Sequence, residues 1–80
     1  MTRAKVYSLI DGERDYQELR HAYDKHSVGD WLTFMRYYLD EATAQFTTKS
    51  ASTEDPLIEV RKLAALAVAC MEQHDTPARE

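Results

Sequence analysis

The residues best equipped for chemistry are cations interleaved with aromatic rings. Arg14, Tyr16, Gln17 and Arg20 fall within two turns of one helical segment; Trp31, Arg36, Tyr37 and Tyr38 fall on the next; Arg61 and Lys62 open the last. Arginine offers a planar fork of donors to phosphate oxygens, and tyrosine and tryptophan offer faces on which a base can stack. These ten residues form a candidate site for a small anionic ligand of nucleotide type. The same cations also suit solvated ion pairs, because Arg14–Glu18 and Arg20–Asp24 have i, i+4 spacing.

Groups for catalysis are scarcer. His21, His26 and His74 lie near Asp24, Asp30 and Asp75 without any metal-ligand spacing, and read as surface histidines. Glu72 and Asp75 have the Glu-x-x-Asp spacing that puts two oxygen donors on one helical face, as a hard cation needs. The second helical segment offers only Asp40-Glu41 opposite them, which leaves a two-helix magnesium site incomplete. There is no glycine-rich phosphate loop and no Cys/His cluster. The expectation is a binding protein with no catalytic residue, metal or cofactor.

Eighty residues make one domain, near the size at which a single apolar core is barely sufficient. With 44% hydrophobic and 30% charged residues, the chain fits an ordinary globular protein and excludes a disordered or fibrous one. A net charge of −4 argues against duplex nucleic acid, whose binding rests on many phosphate contacts. Cys70, the single cysteine, has no intrachain partner and fits a reduced cytoplasm. Asp11, Glu13 and Asp15 follow the basic start too closely for a signal peptide, and no stretch is long enough to span a membrane.

The elements that must position the candidate site are all helices. Val6, Leu9, Ile10, Tyr16, Leu19 and Tyr23 recur near helical spacing over about 4–24, with Gly12 as a weak point or kink. Ser27 is a good N-cap with Asp30 in the first turn, opening a helix over 28–47. There Val28, Trp31, Leu32, Met35, Leu39, Ala42 and Phe46 form the stripe expected to be buried. The polar run Thr47–Asp55 reads as a loop, and Asp55-Pro56 as the start of a third helix over 56–73. The expected fold is all-α: a short N-terminal helix plus an antiparallel helical hairpin.

Burial supplies one more expectation. From Leu63 to Met71 the third helix contains no polar residue, so every direction around it is apolar. Two partner helices from a short chain cover part of such a helix, and uncovered apolar patches usually mark interfaces. Phe34, Tyr37 and Tyr38 widen the apolar arc of the second helix beside it. A homo-oligomer is therefore expected, with the second and third helices meeting between protomers and Arg36, Arg61 and Lys62 at the rim, near the ligand.

Two stretches resemble small phage and prophage proteins of unassigned function: Glu13-Arg14-Asp15-Tyr16-Gln17, and Ser27-Val28-Gly29-Asp30-Trp31 taken with the run Val60 to Glu72. The arginine–tyrosine–glutamine opening is also similar to part of the MazG-like pyrophosphohydrolases, whose metal carboxylates this chain mostly lacks. In size and helical layout the chain resembles phage anti-CBASS sponges, small helical oligomers that sequester cyclic nucleotide immune signals in pockets between protomers. The resemblance implies a protein that sequesters such a signal in the host cytoplasm. A MazG-like hydrolase, active or degenerate, and a protein-binding inhibitor of a host factor are the alternatives.

Overall fold

The computed structural model describes residues 1–21, 25–48 and 54–79, the side chains of His21 and Glu54 excepted. The elements are α1 (Arg3–His21), α2 (Val28–Thr48) and α3 (Glu54–Gln73), and no strand occurs among the described residues. No helix of the described residues is long and apolar enough to cross a membrane.

Local chemistry sets the boundaries. Ser27 caps α2 as its spacing predicts: its Oγ accepts a hydrogen bond from the Asp30 amide at 3.1 Å, and its carbonyl accepts one from the Trp31 amide at 3.1 Å. At the far end, Thr47 and Thr48 extend the helix into the expected loop. Their hydroxyls donate to the Thr43 and Ala44 carbonyls at 3.0 Å and 2.6 Å, so the side chains satisfy themselves on the helix they prolong. Most of the expected loop lies outside the described residues, as does Tyr23. The third helix starts at Glu54, so Asp55 and Pro56 fall inside its first turn. First-turn amides have no intrahelical acceptor, and the proline there costs no hydrogen bond. Asp75, at φ 37°, turns the chain out of the helix in the left-handed region.

The third helix is the centre. It packs against both α1 and α2, while α1 and α2 do not approach each other among the described residues. Ala65 and Ala69, one turn apart, are its most buried residues, at 0% and 3% exposure. Without bulk beyond Cβ, they let both neighbours come close. Contacts with α2 run in opposite chain order: Trp31, early in α2, meets Gln73 at the end of α3, and Tyr38, farther along, meets Lys62. The ties to α1 are largely polar. Arg61 donates to Glu13 at 2.9 Å, Arg14 to Glu72 at 2.8 Å, and Gln17 to the Lys62 carbonyl at 3.1 Å.

The expected stripe on α2 is only partly buried. Trp31 and Ala42 are covered and Met35 is half-covered, but Val28, Leu32, Leu39 and Phe46 are exposed. The reason is a rotation of the helix about its axis. Trp31, Tyr38, Ala42 and Gln45 hold the line facing α3, which turns the neighbouring line out to solvent. On α1, only Ile10 of its described apolar positions is even half-buried.

Gly12 lies within α1, which is assigned as helix without a break, and a Cβ built there meets nothing within 4 Å. Gly12→Ala should therefore raise unfolding stability by about 1 kcal/mol, read as a higher urea midpoint at unchanged slope. A loss of stability would show that the glycine is needed for a local bend.

Candidate functional site

Because α1 and α2 both lean on α3 while their backbones stay apart, a cleft of 380 Å³ opens between them. Alpha-1 supplies Arg14, Gln17 and Glu18; α2 supplies Trp31, Phe34, Tyr37 and Tyr38; Leu66, Ala69 and Gln73 of α3 form the floor. His26, just before α2, closes one end.

The α2 wall is aromatic, with its rings in two groups. The His26 ring sits edge-on to Trp31 and to Phe34, with centroids 5.1 Å and 4.9 Å away. Tyr37 and Tyr38 form a second edge-to-face pair at 5.2 Å. Edge-to-face geometry matches the positive rim of one ring to the negative face of the next. The wall is fixed to the floor through Gln73. Its Oε1 accepts from the Trp31 indole at 2.9 Å and from the His26 amide at 3.2 Å, while the His74 ring lies 2.7 Å from the His26 carbonyl.

The α1 wall is polar and nearly balanced in charge. Arg14, with 16% of its side chain exposed, binds Glu18 at 2.7 Å and Glu72 at 2.8 Å. Burial pulls its guanidinium down, but the hydrogen bonds and charges of Glu72 and Glu18 outweigh that and hold it above its ordinary value. With the folded value above the unfolded one, the stabilisation is complete at every pH below the guanidinium's ordinary range. It disappears only as pH rises through the folded value, so Arg14 stays charged at any physiological pH. Gln17 gives its amide nitrogen to the Lys62 carbonyl, while its Oε1 is buried with no donor among the described residues.

Five of the ten candidate residues, Arg14, Gln17, Trp31, Tyr37 and Tyr38, come together here. Lys62 stands at the edge, its ammonium 5.9 Å from the Tyr38 ring and 3.4 Å from Glu59. The other four lie apart. Tyr16 and Arg20 stack on each other, at 5.2 Å. Arg61 is tied to Glu13 and borders a separate apolar groove between the starts of α1 and α3. Arg36 is exposed, with no ion pair or hydrogen bond among the described residues.

Sequence spacing missed Phe34 as a cleft residue, and also His26, Glu18 and Gln73. Phe34 follows Trp31 by three positions, a signal that was available. Gln73 joins Trp31 across 42 residues and has no local signature. His26 is half-buried in the aromatic wall, where its position before a cap suggested a surface residue. Glu72 and Asp75 do not share a helical face, since α3 ends at Gln73 and Glu72 is engaged by Arg14. No group of three metal-binding side chains occurs among the described residues.

Gln73→Leu should cost about 2 kcal/mol in urea unfolding, because the Trp31 indole and the His26 amide lose their shared acceptor. Trp31→Phe, which removes one donor and keeps most of the ring, should cost about 1 kcal/mol. Unchanged midpoints in both variants would mean that Gln73 does not hold the wall. No protein-family model, curated protein or solved structure matches the chain.

Proposed function

We propose that this protein is a non-catalytic binder that holds a small nucleotide-type ligand in the aromatic cleft and works as a homo-oligomer. The observation that carries the reading is the cleft itself: a half-buried arginine, charged at any physiological pH, faces an aromatic wall across 380 Å³. That volume falls within the range of small-molecule sites, and the mix of rings with a few fixed polar groups is what such sites use.

The charge balance says how recognition divides. Arg14 is opposed by two carboxylates, so a bare phosphate gains little by displacing them. A planar base gains more, because each stacked ring is worth about 1–3 kcal/mol on an aromatic platform. The base is therefore the anchor, on Phe34, Tyr37 and Tyr38. Phosphate oxygens complete the fit by exchanging with Glu18 or Glu72 at Arg14, and by reaching Lys62 beside Tyr38. In the phage setting that the sequence resemblance implies, the ligand is a cyclic nucleotide immune signal, and holding it without turnover is the function. Here α2 and α3 form the antiparallel hairpin, with α1 as the opposite wall.

Calorimetry with a panel of cyclic oligonucleotides and cyclic ADP-ribose isomers tests this. At least one should bind at one site per chain, and quench or shift the fluorescence of Trp31, the single tryptophan. Tyr37→Ala should weaken that binding at least tenfold, and Arg14→Ala by a smaller factor. A folded protein that binds no member of the panel overturns the reading, as does binding that both variants leave unchanged.

A further inference from the structure

The exposed line on α2 has its own order. Leu32, Leu39 and Phe46 recur every seventh residue and are 58%, 51% and 63% exposed. An apolar residue at every seventh position supplies a seam, one of the two lines through which helices pack lengthwise. On the helix circumference this seam lies on one side of the line facing α3, and the cleft residues Phe34 and Tyr37 lie on the other. The seam is thus the back of the molecule, away from the cleft. On α3, Met71 is also exposed, at 52%, while Val60, at 45%, lines the groove beside α1.

Area makes the same point. A folded monomer of 9.3 kDa exposes about 5,000 Å². This chain exposes 6450 Å². Its extended tail accounts for part of the difference, which is roughly 1,500 Å², nearly twice the ~800 Å² that each partner buries in a standard interface. The buried hydrophobic residues are Trp31, Ala42, Ala65 and Ala69, and among the described residues no large side chain is fully enclosed. A second copy is the occupant that supplies a matching seam.

We infer that two copies pack back to back through α2, antiparallel, about a two-fold axis at Leu39. Leu39 then meets Leu39 of the other copy, and Leu32 meets Phe46. The flanking charges select this direction. Arg36 and Asp40, one turn apart beside the seam, make no ion pair among the described residues. Antiparallel pairing sets the same flank of both helices on one side, so Arg36 of each copy faces Asp40 of the other. In parallel pairing the two flanks lie on opposite sides, and neither pair forms. Because the seam and the cleft lie on opposite sides of the line facing α3, this arrangement leaves both clefts outside the contact. The inference rests on the self-association in the reading above and is independent of the ligand.

Sedimentation and disulfide trapping test it, without ligand, on the full chain. The wild type should be a dimer or a multiple of one at tens of micromolar, and Leu39→Glu a monomer of unchanged helicity. Arg36→Asp should weaken dimerisation roughly fivefold, and adding Asp40→Arg should restore it. In a Cys70→Ala background, Leu39→Cys should cross-link to itself; Phe46→Cys should cross-link to Leu32→Cys and not to itself. A wild-type monomer at these concentrations, which leaves the seam to a different protein, overturns the inference. So does self-cross-linking of Phe46→Cys, or a Leu39→Glu protein that stays dimeric.

Discussion

One helix has to serve as the inner wall for two others. Ala65 and Ala69 make that feasible on α3, because a face of methyl groups accepts close neighbours on both sides. Leucines at those positions would bury more area per residue, but would push α1 and α2 outward. The alanine face therefore sets two features together: a cleft between helices that share a floor, and a core whose buried residues are mostly small.

Polar links compensate where apolar contact is thin. Alpha-1 is held by Glu13–Arg61, Arg14–Glu72 and the amide of Gln17 more than by its own apolar residues, most of which are exposed. Such links fix orientation better than they supply free energy, since partly exposed ion pairs contribute about 1 kcal/mol or less. Arg14 shows the consequence for function. Held by two carboxylates and charged at every physiological pH, it contributes a fixed charge to the cleft wall rather than a titratable one. Gln73 plays the same orienting part on the other side, where a single carbonyl oxygen receives both the Trp31 indole and the His26 amide.

Local signals made the helices legible in the sequence. Ser27 announced α2, the apolar run announced α3, and Arg14 and Glu18 paired as their spacing required. What spacing did not decide was which of two adjacent lines on α2 faces α3. Both lines are apolar, and the choice depends on where Trp31 finds its acceptor, 42 residues away in sequence. The cleft was half legible for the same reason. Arg14, Gln17, Trp31, Tyr37 and Tyr38 carry chemistry that residue type reveals, whereas Gln73 and His26 acquire roles only through contacts across the fold. Arg61 and Tyr16 have the right chemistry but point elsewhere, which a list of residue types cannot register.

In the dimer proposed above, a second copy covers apolar surface that a single chain leaves exposed. The most direct measurement is the thermal midpoint of unfolding as a function of protein concentration, without ligand, from about 1 to 300 µM. If the folded state is completed by association, the midpoint rises by several degrees across that range. A midpoint that stays constant, with a single two-state transition at every concentration, would mean that one copy suffices and that no second copy completes the fold.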